Sequence, residues 1–248
     1  PVPVLPTAHY NMGGIPTNIR GEVLDPTPDD PERVVRGLMA VGEAACVSVH
    51  GATRLGTNSL LDLVVFGRAA ALRAAEIAEP GAAQPELPAA AAEAALERFD
   101  RLRQAGGHVK SGALRLSMQR AMQQHCAVFR TAAILERGLG EIAAVEAGLA
   151  DLAVADRSMI WNTDLVDALE LDNMLGQAEI VLRSALYRSE SRGAHAREDF
   201  PERDDRSWLV HTLAWCGADG VVRLGSRPVH LHPLSNEVRA FPPGERVY

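Results

Sequence analysis

Between Leu114 and Leu186 apolar side chains recur at steps of three or four, in three separate runs. Leu114, Met118, Met122, Cys126 and Phe129 form one stripe; Ile142, Val145, Leu149 and Leu152 form a second. Leu165, Leu171, Leu175, Leu182 and Leu186 form a third, in a helix of roughly thirty residues ending near Gly193. Stripes of this period belong to helices with one apolar face, and each face has to bury against another. A small antiparallel bundle satisfies all of them, with an Ala/Glu/Arg-rich helix over Ala89 to Gln104 leading in. Met118 and Met122 read as core filler rather than as cofactor ligands, because Met commonly fills core gaps.

On either side of the bundle the pattern changes, so the fold class is α+β and mainly helical. Residues 1–78 form a first unit: Pro1 to Pro6 is extended, Gly13-Gly14 suits a tight turn, and Asp25 to Pro31 is a Pro/Asp-rich surface excursion. Residues 79–88 (EPGAAQPELP) are a linker, 89–192 the bundle, and 193–248 a small strand and loop region. There Trp208 to Trp215 is strand-like, the 217–220 stretch is a turn, and Val221 to Leu224 pairs back as a hairpin. Val229 to Leu234 reads as a further short strand, and Phe241-Pro242-Pro243 begins an extended tail.

A chain of 248 residues is long enough for a sizeable core in one or two domains. Its formal charge of −7 is mixed along the chain, which argues against a nucleic-acid partner, since that needs a basic stripe. No apolar run reaches the ~18 residues of a membrane span. Cys46, Cys126 and Cys216 are far apart and lack metal-ligand spacing, so they read as buried, reduced thiols, and no metal is expected.

Chemistry concentrates between Val41 and Gly67 (VGEAACVSVHGATRLGTNSLLDLVVFG). Leu38 to Val49 suits a buried strand. His50 to Gly56 is a loop whose glycines let the backbone pass close to a ligand. Asn58 or Ser59 then caps a helix, Ser59 and Asp62 fit a capping box, and the Leu60–Phe66 run points to burial on most sides. The helix N-terminus, beside Arg54, suits an anion or an electron-rich heterocycle.

This stretch resembles the flavoprotein subunits of the succinate dehydrogenase/fumarate reductase family. HYNMGGIPTN from His9, SRGAHAREDFPERDD from Ser191 and the ending FPPGERVY carry the same resemblance, which covers nearly the whole chain. It implies the C-terminal portion of such a subunit: the returning part of an FAD-binding domain, then the bundle, then the strand and loop region. No GxGxxG follows a strand, and in the family the dinucleotide cradle, the histidine that attaches FAD covalently and the proton-donating arginine all lie upstream. Succinate or fumarate would be held by Arg54, whose planar fork suits a carboxylate, and by His9. Glu43 would accept from a ribose of FAD, while Ser59 and Leu60 would offer N–H groups to the flavin ring. Tyr10 would support His9; His50 is structural or supporting, and the remaining histidines carry no role. Thr53 departs from the family loop, which usually has Asn there.

The implied partners are an iron–sulfur subunit and membrane-anchor subunits, placing the complex on the cytoplasmic face of a bacterial inner membrane or the matrix face of a mitochondrial one. Succinate oxidation is the primary reading. Fumarate reduction is the nearest alternative, L-aspartate oxidase fits less well, and a non-catalytic docking module is the alternative from another class.

Overall fold

The structure is a computed structural model that describes residues 2–3, 9–83, 85–88, 90–217 and 219–244. Parts of the expected N-terminal extended segment and residues 245–248 of the tail lie outside the described residues. Among the described residues the first unit holds four short strands, β1 (Ile15–Pro16), β2 (Glu22–Leu24), β3 (Val34–Met39) and β4 (Ala45–Cys46). β2 and β3 form an antiparallel hairpin around the Pro/Asp-rich excursion, and β1 runs parallel to β4. The expected buried strand from Leu38 to Val49 does not form. β3 ends at Met39 and is largely exposed, and a 3-10 turn over Gly42–Ala44 intervenes. The break is set by Gly42, whose φ is 74° and where a Cβ would lie 2.5 Å from Leu63 Cδ2.

Helix α1 (Asn58–Ile77) follows, and its burial also differs from expectation. Leu60 is 66 % exposed and Val64 71 %, whereas Asp62 and Ala70 are its buried residues. Among the described elements its main neighbour is the Gly42–Ala44 turn, and most of its apolar surface is left exposed by the described residues.

Between α1 and α2 (Glu93–Arg103) the described residues form no helix or strand. The remaining elements are β5 (Val109–Lys110), α3 (Ser111–His125), β6 (Phe129–Arg130), α4 (Ala132–Ala147), β7 (Leu152–Ala153), α5 (Thr163–Tyr187), β8 (Ala196–Arg197), β9 (Val210–Cys216) and β10 (Val222–Pro228). Helices α3, α4 and α5 pack on one another around Leu114, Met118, Leu135, Ile142, Leu171 and Leu182. Two helix starts carry side-chain caps: Thr131 accepts from the Ile134 N–H and Asn162 from the Leu165 N–H.

The stripes overreach at their ends. α3 stops at His125, so Phe129 falls in β6 and is exposed; Leu152 is buried, but in β7. β5 pairs in parallel with β7, and β6 with β8. α5 ends at Tyr187 rather than near Gly193, because the side chain of Arg197 takes the last carbonyls, those of Ala185, Leu186 and Arg188. β9 and β10 form the expected antiparallel hairpin. Val229 to Leu234 makes no strand, and His230 instead meets Glu32 at 3.2 Å. All three cysteines are free; only Cys126 is buried, Cys46 being half-buried and Cys216 exposed. Among the described residues no helix is long and apolar enough to cross a membrane, and no group of side chains is arranged to hold a metal.

Candidate functional site

The 50–56 loop lies between β4 and α1, and its centre is a stack of three side chains. Arg54 sits over the Tyr10 ring at 4.8 Å, and the Tyr10 ring meets His50 edge-on at 5.5 Å and 78°. His50 Nε2 donates to Asp62 Oδ2 at 3.0 Å, and both of these side chains are largely buried. A cation over an aromatic face gains electrostatic energy, so Tyr10 both supports and orients the guanidinium. Burial, with the Asp62 and Glu43 carboxylates nearby, raises the Tyr10 pKa above the ordinary phenol value, so the ring stays neutral.

Arg54 Nη1 donates to the Leu55 carbonyl at 3.2 Å. Its Nε is buried with no hydrogen-bond partner, and it makes no ion pair among the described residues. The Nε–Nη2 edge is the one that matches a carboxylate through two parallel hydrogen bonds. An unsatisfied buried donor is costly, so this edge is set for an acceptor from outside the described residues.

The start of α1 departs from the expected caps. Thr57, not Asn58 or Ser59, is the N-cap; it has φ 67°, and its hydroxyl donates to Gly56 O instead of accepting from the first turn. Asp62 makes no capping box with Ser59, because its carboxylate is committed to His50. The Leu60 N–H is taken by Thr57 O at 3.1 Å, while the Ser59 N–H has no partner among the described residues. An open first-turn N–H beside an unpaired guanidinium fits the pyrimidine end of a flavin, whose charge becomes more negative on reduction. Glu43 accepts the Asn11 N–H at 3.1 Å through Oε1, which straps the HYNMGG loop to the 3-10 turn. No partner holds its other oxygen among the described residues, so that oxygen can meet a ribose hydroxyl. His9 is exposed and directly precedes Tyr10.

Of the five expected site residues, Arg54, Ser59 and Leu60 share one loop and helix start, while Glu43 and His9 are joined to them through Asn11 and Tyr10. The His50–Asp62 pair has no obvious signature beyond one carboxylate within an otherwise apolar run. A cleft of about 190 Å³ opens beside this pair, lined by Val49, Asn58, Leu61, Val65 and Phe66 as well.

Residues 115–248 match a family model described as the fumarate reductase flavoprotein C-term, and residues 1–60 match one described as an FAD binding domain. A succinate dehydrogenase flavoprotein subunit of Rickettsia bellii is 54 % identical over all 248 residues, which are 42 % of that protein. The mitochondrial flavoprotein subunit of rice succinate dehydrogenase is also 54 % identical, with 39 % of it covered. Among solved structures, FrdA of E. coli quinol fumarate reductase is similar at a TM-score of 0.82 and 38 % identity, with all of this chain and 40 % of that one covered. Sdh1 of Mycobacterium smegmatis gives 0.73 and 31 %, covering 92 % of this chain and 36 % of that one. The chain thus spans about two fifths of the length of its curated relatives. The match of more than half of the chain to the C-terminal family model, with similarity to these subunits along its whole length, makes it a member of the succinate dehydrogenase/fumarate reductase flavoprotein family.

Proposed function

We propose that this chain supplies the dicarboxylate-binding side of an FAD site that oxidises succinate to fumarate. The observation that carries this reading is the buried, unpartnered Nε of Arg54, on a guanidinium already fixed by Leu55 O and the Tyr10 ring. One carboxylate of the substrate sits on the Nε–Nη2 edge, and His9 donates a hydrogen bond to a carboxylate oxygen. Holding the substrate in one pose removes orientational freedom that the reaction would otherwise have to lose at the transition state. Bound FAD would accept the hydride, two electrons with one proton, that succinate gives up, while the second proton would leave to the proton-transferring arginine. The open Ser59 N–H, with Leu60 beside it, would face the ring, and Glu43 would face the ribose.

In this reading the covalent FAD attachment and the proton-donating arginine would be supplied by residues other than these, which would also cover the exposed apolar face of α1. Electrons leave through an iron–sulfur subunit towards quinone, and membrane-anchor subunits hold the complex at the cytoplasmic or matrix face. The similarity to a quinol fumarate reductase supports the reverse direction as a second reading, because the same carboxylate clamp serves either substrate. The linker over residues 79–88 separates the flavin-domain part from the bundle. A purely docking role accounts for the bundle but leaves the unpaired Arg54 edge without a purpose.

Arg54→Ala, introduced into the native polypeptide that contains this chain, tests the assignment. Succinate turnover should fall on the order of a thousandfold while the flavin absorbance is kept. Turnover near wild type refutes it.

A further inference from the structure

The Ser191–Asp205 stretch has no part in the substrate and flavin contacts described above, yet one end of it touches the substrate loop directly. The Ala194 N–H donates to Ala52 O at 2.9 Å. Ala52 lies two residues before Arg54. The other main-chain hydrogen bonds of the 50–56 loop among the described residues are longer, Thr53 N–H to His50 O at 3.4 Å and Asn58 N–H to Leu55 O at 3.3 Å. A loop with glycines at both ends is thus held most closely by a residue 142 positions away in sequence (194 against 52).

Residue 193 has to be glycine for two separate reasons. Its φ is +58°, and a Cβ there would stand 2.6 Å from Ala52 O and 2.7 Å from Ala52 C. The segment that makes the contact is itself rigid. Arg192 and His195 exchange main-chain hydrogen bonds at 2.8 and 3.0 Å. The Arg192 guanidinium meets the fully buried Glu190 and also Asp205. Burial pushes the Glu190 carboxyl up, but bonds from Arg192, the Asp204 N–H and Arg188 outweigh that and leave its pKa below the ordinary value.

We propose that Gly193 and Ala194 form a latch that positions the substrate loop and thereby aims the Arg54 fork. This rests on the dicarboxylate reading of Arg54. Gly193 and Ala194 are positioning residues: they touch Ala52, and they act on a bound carboxylate only through where they hold it. Binding and latching are therefore coupled, and the coupling is reciprocal. Whatever the latch adds to dicarboxylate affinity, a bound dicarboxylate must return as stability of the latch.

The test uses the native polypeptide purified with its flavin, with malonate as the dicarboxylate probe. Gly193→Ala should weaken malonate binding by roughly tenfold or more without loss of flavin absorbance. In the unaltered protein, saturating malonate should slow amide hydrogen exchange in both the 50–56 and 190–196 segments. This second measurement decides the matter even where Gly193→Ala fails to fold. A folded Gly193→Ala variant with unchanged affinity overturns the latch. So does malonate protection confined to 50–56. Malonate affinity that is unchanged in Arg54→Ala overturns the dicarboxylate reading instead, so the two failures are distinguishable.

Discussion

His211 lies in β9 with its Nε2 buried and without a hydrogen-bond partner. Burial, reinforced by the nearby Arg227 and Arg188 and by His230 against the opposing Glu32, pushes its pKa down to about 4 from 6.5. Below pH 6.5 the unfolded chain takes up a proton that the folded chain refuses until about pH 4. The stability linked to His211 is therefore complete above pH 6.5 and is lost as the pH falls through that window. Asp199, held at about 2 by Arg197, adds a similar acid loss only below its ordinary 3.8. The melting temperature should fall by a few degrees between pH 6.5 and 4.5, and His211→Gln should flatten that slope; parallel slopes contradict the assignment. At this scale the proposed roles of Arg54 and His9 come from the resemblance of short motifs. The stack of Arg54, Tyr10 and His50 was not legible, because Tyr10 meets Arg54 across 44 positions and Asp62 reaches back to His50. An acid three residues after a serine reads as a capping box from sequence alone; only the fold shows that the carboxylate points elsewhere.

The end of α5 shows the same limit for whole elements. Its leucine stripe, ending at Leu186, marks a long helix correctly, but the stripe does not say that another segment claims the last carbonyls and stops the helix at Tyr187. Arg197, 2 % exposed, donates to three of them and clamps Asp199 through two bonds of 2.8 Å. Arg197→Met leaves those buried carbonyls without their donor and takes the partner from the partly exposed Asp199, and orphaning buried acceptors in this way costs about 1–3 kcal/mol. A denaturant midpoint equal to that of the unaltered protein would contradict this role. The bundle helices and the β9–β10 hairpin were legible because their burial lies within the chain, on faces their own periodicity marks. The strand expected over Leu38 to Val49 was not, since Gly42 turns the chain at a φ that composition does not display. The Leu60–Phe66 run tells that a face requires cover, but not what supplies it, and the described residues leave it open.

For the molecule as a whole, the bundle is a support to which the Ser191–Asp205 stretch is tied by Arg197 at the end of α5, by the Ala132 N–H on Asp199 and by the β6–β8 pairing, and that stretch in turn touches the loop of Arg54. The family was legible from end to end, because its longest motifs cover the very segments that meet: HYNMGG, HGATRLG and SRGAH. Why they meet was not, since a hydrogen bond between Ala194 and Ala52 leaves no trace in side-chain type. The most direct test of the central claim is a structure of the native polypeptide with a bound dicarboxylate. One carboxylate should lie on the Nε–Nη2 edge of Arg54, with both N–O distances about 2.8 Å and Tyr10 still beneath the guanidinium. A dicarboxylate bound elsewhere, with Arg54 Nε satisfied by a protein acceptor, would contradict the account.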